Sequence, residues 1–228
     1  MDGHALTLNG IDLFARPSGA LWWPEVRLLC VSDLHLAKSG RIARRGGALL
    51  PPYETVETLD RLAREIRALD PVRIVCLGDS FDDDTGADTL SDEEAGTLLA
   101  LIAGRDWIWI AGNHDPAPLV LPGSHRTDLR QDRLVFRHAA QAGPVDGEIS
   151  GHFHPKISLD LGGRRLRRAC FLSDATRIIL PAFGAYTGGL DCEHPALTGL
   201  FGTDAIAVLT GSPSVRVPML QGRHRGVG

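Results

Sequence analysis

The chain has 228 residues, of which 43% are hydrophobic and 23% charged, a balance typical of a globular domain and not of a disordered chain. Its formal net charge of −4 excludes a protein that coats nucleic acid over its whole surface, although 24 Lys and Arg residues can still form a local basic patch. The start carries no secretory signal, no stretch reaches the roughly 20 apolar residues of a membrane span, and the four cysteines form no CxxC pair typical of zinc sites.

The first part of the chain alternates between short apolar runs and helical patterns. Residues 54–69 carry apolar side chains at helical spacing, and Ser91 with Glu94 forms a capping-box pattern that opens a second helix. Three apolar runs rich in Val, Ile, Leu and Trp predict buried strands around these helices. Strands and helices in alternation predict a layered α/β domain. The three predicted strands are residues 26–31, 72–77 and 107–111.

The last third of the chain has more strand than helix signals. A hairpin is predicted around Gly162 and Gly163, and the turn-rich stretch 183–203 is predicted to be a surface loop. The expected architecture is a central pair of sheets with helices outside, in a single domain over residues 1–228. We expect a cytoplasmic protein with no membrane partner. The predicted strands of this part are residues 157–161, 166–171, 177–180 and 205–210.

Metal-binding side chains follow four of the predicted strands. The carboxyl ends of strands in an α/β sheet are where sites are built, and residues two apart in an extended segment point to one face. Glycines before three of these motifs allow the backbone to turn sharply and approach a ligand closely. Oxygen and imidazole groups without thiolate suit Mn, Fe or Zn, with Mn or a mixed pair fitting best. The four motifs are Asp33-x-His35, Gly78-Asp79-x-x-Asp82, Gly112-Asn113-His114-Asp115 and Gly151-His152-x-His154.

This order of motifs resembles the calcineurin-like metallophosphoesterases over about residues 26–154. The resemblance implies a four-layer α/β/β/α sandwich with two divalent metal ions at one edge. It implies that Asp33, His35 and His154 hold one ion, that Asn113, His138 and His152 hold the other, and that Asp79 bridges both. The histidine between the third and fourth motifs has two candidates. His138 follows a short apolar run and is favoured, whereas His125 lies in a predicted turn.

The same resemblance assigns two catalytic roles. His114 matches the family's histidine that is not a ligand and faces the leaving group, and Asp82 matches its orienting partner, with Asp83 as a less favoured alternative. Two metal ions activate water for in-line attack on phosphorus. His114 is then expected to donate a proton to the departing alkoxide, with Asp82 fixing its tautomer.

Two basic runs predict a substrate that is a polyanion. The loop after the first motif carries Lys38, Arg41, Arg44 and Arg45, and the predicted hairpin carries Arg164, Arg165, Arg167 and Arg168. The DLHL-x-K-S opening, the LLPPY-containing loop and residues 181–191 are similar to the ligase-associated DNA damage response endonucleases. That similarity implies DNA as substrate and a DNA ligase and a helicase as partners. A small-molecule phosphodiesterase and a non-catalytic interaction module remain alternatives.

Overall fold

The computed structural model describes residues 2–38, 53–83, 86–117 and 120–219. Two sheets pack face to face in these ranges, and helices cover the outer face of the first sheet. None of the described helices combines the length and apolar content that a membrane span requires. The fold is therefore the predicted α/β sandwich.

The first sheet has seven strands that lie side by side in chain order. Its first three pairings are antiparallel, and the remaining three are parallel. The parallel strands bring their carboxyl ends to one edge, where the first three motifs begin. The strands are β1 (His4–Leu8), β2 (Ile11–Ala15), β3 (Leu21–Trp23), β4 (Leu28–Val31), β5 (Arg73–Leu77), β6 (Asp106–Ile110) and β7 (Ser124–Arg126).

The second sheet has eight strands and is also mixed. Strands β9, β10 and β13 are parallel neighbours, in that order, so the carboxyl ends of β9 and β10 lie together. The strands are β8 (Asp128–Gln131), β9 (Leu134–Arg137), β10 (Glu148–Ser150), β11 (Lys156–Leu161), β12 (Arg164–Ser173), β13 (Arg177–Ile179), β14 (Ile206–Leu209) and β15 (Arg216–Pro218).

Three apolar clusters hold the layers together. The first lies between the sheets and includes Leu77, Phe136 and Phe171. The second packs the outer face of the first sheet against two helices, and the third covers the outer face of the second sheet. Among the described residues that last face carries only a short helix and the β11–β12 hairpin, so the fourth layer is thinner than predicted. The helices are α1 (Glu54–Leu69), α2 (Asp92–Ile102) and α3 (Pro195–Thr198).

The predicted elements are confirmed, with ends that move by up to two residues. Helix α1 covers the predicted range 54–69, and α2 begins after Ser91 in a complete capping box with Glu94. The prediction of a surface loop over 183–203 holds for most of that stretch, but Phe183 and Leu197 are fully buried and α3 lies within it. Apolar side chains in a turn-rich stretch have no period by which their burial could be recognised.

Strands β1, β2 and β3 correct the prediction at the amino-terminal end, where no element was expected before residue 26. Asn9 and Gly10 join β1 to β2 with φ values of 51° and 78°. An Asn-Gly pair with both φ angles positive is the preferred two-residue hairpin turn, since its twist matches that of the flanking strands. The Asn-Gly pair between alternating apolar residues was the available signal.

Candidate metal centre

The structure brings six of the predicted ligands together in two groups. The ligand atoms of each group lie within 4.8 Å of one another. The groups adjoin, since His138 Nδ1 in one lies 3.9 Å from Asp33 Oδ1 in the other. We call them the first and second subsites. The first subsite contains Asp33, His35 and His154, and the second contains Asp79, His138 and His152.

Asn113 lies at the second subsite and completes the predicted set. Its side-chain Oδ1 is 2.8 Å from His138 Nε2, which is also 3.1 Å from His152 Nδ1 and 3.4 Å from Asp79 Oδ2. The His138 Nδ1 atom is 2.8 Å from the carbonyl oxygen of Leu77. A carbonyl only accepts, so Nδ1 carries the hydrogen and the Nε2 lone pair points at the other acceptors. Acceptors gathered in this way are stabilised by a positive charge between them, which a divalent cation supplies.

A ligand ring of the first subsite is oriented in the same way, by a hydrogen bond to its other nitrogen. His35 Nδ1 lies 3.0 Å from the carboxylate of Asp82, and donating a hydrogen to that carboxylate leaves Nε2 as the free lone pair. Nε2 faces His154 Nε2 at 3.4 Å. Asp33 is fully buried, and its Oδ1 lies 3.2 Å from His154 Nε2 and 3.9 Å from His138 Nδ1. A buried carboxylate charge is costly unless a cation pairs with it, which a divalent ion between these groups would do.

The protonation states favoured by the surroundings are those that metal binding needs. Burial acts to raise the pKa of Asp33, but the hydrogen bond and charge of His154, the charge of His138 and the Ser32 hydroxyl together hold that pKa below its usual value. Burial, followed by the charge of His138, lowers the pKa of His152 against the opposing pull of nearby carboxylates. Metal ligands must be an ionised carboxylate and a neutral imidazole, and the pKa values of Asp33 and His152 are shifted in those directions.

The ligand loops are not extended, which corrects the geometry predicted for Asp33-x-His35 and His152-x-His154. Five predicted ligands have a left-handed backbone, a conformation that costs a non-glycine residue about 1–3 kcal/mol. Such strain persists where the surrounding structure determines it, and it concentrates at functional sites. The strands therefore end in tight turns that present successive side chains to the centre. The φ values are 52° for Asp33, 46° for His35, 45° for Asp79, 69° for His152 and 47° for His154.

Two glycines permit the close approach of these loops, as expected. A side chain at Gly112 would clash with the backbone and carboxylate of Asp79, and one at Gly151 would clash with Ser32 and Asp33. The loops after β6 and β10 are thus packed against the carboxylates that follow β5 and β4. No other residue type fits these positions without displacing a predicted ligand.

Comparison with known proteins agrees with this geometry. The family model for calcineurin-like phosphoesterases matches residues 26–191, which include all seven predicted ligands. The chain belongs to the calcineurin-like phosphoesterase family. It is a metal-dependent phosphoesterase with two candidate sites for the divalent ions that this family uses.

One solved structure resembles this phosphoesterase over nearly its whole length. The crystal structure of the Pseudomonas putida nuclease MPE matches with a TM-score of 0.73 and 25% sequence identity, covering 95% of this chain and 100% of that chain. A search of curated proteins found no match. The fold is therefore shared with a nuclease.

His114 lies beside the second subsite of the phosphoesterase, as predicted for a catalytic histidine. Its backbone N–H donates to Asp79 Oδ1 at 2.9 Å, and its ring Nε2 lies 4.0 Å from Asp79 Oδ2. Its ring Nδ1 lies 3.1 Å from the backbone carbonyl oxygen of Asp82. The contact with Asp82 thus runs through its backbone, whereas its carboxylate is bonded to His35. This differs from the predicted role, because the tight turn after Asp79 directs the Asp82 side chain to the first subsite.

Asp115 holds the phosphoesterase site together and was not assigned a role from the sequence. Its buried carboxylate accepts four backbone N–H groups, those of Asp79, Gly112, Ser80 and Phe81, at 2.7–3.2 Å. Burial raises its pKa, and the charge of Asp79 adds to the rise, while the backbone hydrogen bonds oppose it. Asp115 therefore ties the loop after β6 to the loop after β5. Its place directly after Gly-Asn-His was the available signal.

The two histidines left open by the sequence are separated by the fold. His138 follows β9 and lies in the second subsite. His125 lies in β7, at the edge of the first sheet, with its Nε2 3.4 Å from the carbonyl oxygen of Leu121. The geometry therefore favours His138 as the seventh ligand.

The predicted basic residues are only partly described. Lys38 is half-buried, close to the first subsite in sequence. Arg167 and Arg168 lie on opposite sides of β12. Arg167 donates to the carbonyl oxygen of Gly189, whereas the Arg168 guanidinium lies against Gly211. Arg41, Arg44 and Arg45 lie outside the described residues, and their role stays a prediction.

Proposed function

We propose that this phosphoesterase is a two-metal-dependent nuclease that hydrolyses phosphodiester bonds in DNA during repair, with endonucleolytic cleavage. The observation that carries the proposal is the pair of adjoining ligand groups with the His114 ring beside Asp79. The likeness to the Pseudomonas putida nuclease MPE supports a nucleic-acid substrate. The resemblance to the ligase-associated subfamily supports a role in repair.

The residues of the two subsites fit a pair of divalent ions. The buried Asp33 carboxylate and the facing imidazole nitrogens are the features that fit them. The absence of thiolate from both groups favours Mn²⁺, with Fe or Zn as alternatives. When bound, such ions stabilise charge on phosphoryl oxygens and make water nucleophilic at neutral pH. The first ion would be held by Asp33, His35 and His154, the second by Asn113, His138 and His152, with Asp79 shared.

The protein side chains supply orientation and a proton. Asp82 fixes the ring of His35, and the Leu77 carbonyl fixes that of His138, so the ligand lone pairs are directed before any ion binds. The Asp82 carbonyl keeps a hydrogen on His114 Nδ1. In the imidazolium form the second proton is therefore on Nε2, which lies 4.0 Å from Asp79 Oδ2, and this is the proton that His114 would transfer. A proton from Nε2 to the leaving oxygen neutralises the departing alkoxide.

Location and partners are proposed from the resemblance of residues 26–191 alone. A cytoplasmic protein that acts with a DNA ligase and a helicase would cleave DNA ends or damaged strands before the nick is sealed. A pull-down from cells with the tagged protein, followed by probing for ligase activity, tests this association.

A substrate panel tests the proposed activity. Metal-stripped protein is supplied with Mn²⁺, Fe²⁺ or Zn²⁺ and incubated with single-stranded, double-stranded and circular DNA, beside nucleotide and lipid-precursor phosphodiesters. We expect DNA cleavage that depends on added metal, with circular DNA reporting internal cuts. Hydrolysis of the small diesters alone would make the protein a small-molecule phosphodiesterase. No hydrolysis with any metal would favour a non-catalytic interaction module.

A further inference from the structure

Two basic side chains from distant segments are tied to one loop beside the first subsite. Lys156 begins β11, two residues after His154, and its Nζ donates to the carbonyl oxygen of Thr187 at 2.8 Å. Arg167 lies opposite Ser158 on β12, and its Nη2 donates to the carbonyl oxygen of Gly189 at 2.7 Å. Both cations are therefore held by the backbone of residues 187–189.

This loop is in direct contact with a predicted metal ligand. A side chain at Gly189 would clash with the carbonyl oxygen of His154, so the two backbones touch there. The next residue, Leu190, donates its N–H to the carbonyl oxygen of Phe153 at 3.1 Å. Lys156 and Arg167 are consequently anchored at the border of the first subsite, and not on a remote surface.

Lys38 joins them from a third segment. It follows His35 by three residues and is half-buried. His35 Nε2 lies 3.4 Å from His154 Nε2, so the segments that carry Lys38 and Lys156 both leave the first subsite. Lys156 and Arg167 lie on one face of the β11–β12 pair, because their partners across it are Ala169 and Ser158, and Lys38 adds a third cation at the border of the first subsite.

Within the ranges that the structure describes, no acidic side chain forms an ion pair with Lys38, Lys156 or Arg167. The Asp191 carboxylate, on the segment beside Lys156, accepts instead from the Ser158 hydroxyl at 2.8 Å. Basic side chains that bond only to backbone oxygens make the local potential positive, and an anionic ligand is attracted to such a potential.

We propose that Lys38, Lys156 and Arg167 form a phosphate-binding subsite, which receives the phosphate of the nucleotide next to the scissile bond. Lys156 and Arg167 each use one N–H donor to bond the 187–189 loop. Ammonium and guanidinium groups carry more donors than one, so further N–H groups remain for a phosphate. The inference rests on the proposed function, because it presumes a substrate with several phosphodiesters. It identifies the substrate class as a polynucleotide and places its path over His154 and the 187–189 loop.

A salt series on matched variants tests the subsite. Lys156→Gln/Arg167→Gln removes two cations from it. Arg130→Gln/Arg133→Gln removes two cations from the β8–β9 hairpin, at the end away from His138. This variant has the same net charge as Lys156→Gln/Arg167→Gln. Binding of a labelled oligodeoxynucleotide is followed by fluorescence anisotropy without added metal, so that no cleavage occurs.

The expected result is a change in one variant only. Each lost phosphate contact flattens the slope of log affinity against log salt by about 0.7–0.9, so the first variant should lose roughly 1.5 units. The hairpin variant should keep the parental slope. The charge-preserving variant Lys156→Arg/Arg167→Lys should restore the slope, which a merely structural role of these side chains would not explain.

Three outcomes would overturn the subsite. They are an unchanged slope in Lys156→Gln/Arg167→Gln, an equal loss in the hairpin variant, or no DNA binding by the parent at low salt. Turnover of a small nitrophenyl phosphodiester by the parent with Mn²⁺ is measured in parallel. If the parent turns over this diester while the subsite prediction fails, the phosphodiesterase activity is still supported. If the parent does not turn it over, the result counts against the proposed function itself.

Discussion

The negative charge of the Asp79 side chain is predicted to be shared by both metal ions. Its Oδ1 accepts the backbone N–H of His114 and its Oδ2 lies near His138 Nε2. Asp79→Asn keeps an oxygen for His114 but removes the charge that two ions are predicted to share. We expect loss of at least one ion and of nearly all phosphodiesterase activity, measured by elemental analysis and turnover. Asp132→Asn, at an exposed turn, is the control, and two fully occupied ions in an active Asp79→Asn protein would refute the bridge.

The role of His114 as a proton donor predicts a dependence on the leaving group. His114→Ala should retain both ions yet lower kcat by roughly 10²–10⁴-fold on a substrate with an alkoxide leaving group. The loss should be much smaller with a nitrophenyl ester, whose leaving group needs no proton. His125→Ala is the matched control. Equal losses on both substrates would contradict the role, and loss of metal would make His114 a ligand.

Replacement of Asp115 is predicted to lower the stability of the protein and to weaken metal binding. In Asp115→Asn the amide NH₂ must face backbone donors that now have no acceptor, and each buried unpaired donor costs about 1–3 kcal/mol. We expect a lower free energy of unfolding together with weaker metal binding, because the Asp79 turn loses its anchor. Chemical denaturation and elemental analysis measure the two effects, again against Asp132→Asn. Parental stability in Asp115→Asn would show that the four hydrogen bonds contribute little.

At the scale of elements, the amino-terminal end of helix α2 is stabilised by its capping box. Ser91 Oγ accepts the N–H of Glu94, and the Glu94 carboxylate accepts the N–H of Ser91 at 2.8 Å. Ser91→Ala should destabilise the protein by about 1 kcal/mol, the usual value of an N-cap. Ser91→Thr keeps the hydroxyl and serves as control. Denaturant midpoints measure the change, and a loss shared equally by both variants would mean that the cap is not its cause.

Sheet pairing determines which ligands meet. Strand β5 lies between β4 and β6, and β10 lies between β9 and β13. The loops after β4, β5 and β6 therefore emerge side by side at one edge of the first sheet. Those after β9 and β10 emerge together from the second. The metal centre forms where these two edges meet, as shown by the hydrogen bond of 2.9 Å from the His152 N–H to Asp33 Oδ2.

At the scale of the whole molecule, the cluster between the sheets predicts one cooperative unfolding unit. All four tryptophans lie in the first sheet, in β3 and β6, so their fluorescence reports that sheet, whereas far-UV circular dichroism reports both. We expect coincident denaturation midpoints, because residues of both sheets share one core. Separate transitions would divide the predicted single domain into two units.

A substitution in the second sheet tests the same coupling. Phe171→Ala, in the core between the sheets, should lower the free energy of unfolding by about 3–5 kcal/mol and shift the tryptophan transition of the first sheet. Leu166→Ala on the same strand is the control, since Leu166 is exposed. A fluorescence transition that does not move with Phe171→Ala would show that the sheets unfold independently.

The sequence by itself determined the fold class, helix α1, the capping box and the residue types at the strand ends. These features are local. Helical period, a cap three residues from its partner and a Gly-Asp or Gly-His after an apolar run are all visible within a short window. The left-handed φ angles of Asp33 and His35 were not predicted. The surrounding packing imposes them, and a carboxylate or imidazole side chain in the sequence does not indicate such a conformation.

The tertiary structure alone decided how distant residues combine. It placed His138 rather than His125 beside Asp79, turned the Asp82 carboxylate toward His35, and brought Lys156 and Arg167 to the 187–189 loop. Each of these outcomes depends on which strand lies next to which, and on which side of β12 a side chain emerges. Pairing is set by burial of the sheets' apolar faces over the whole chain, so no local pattern of charged or polar residues determines it.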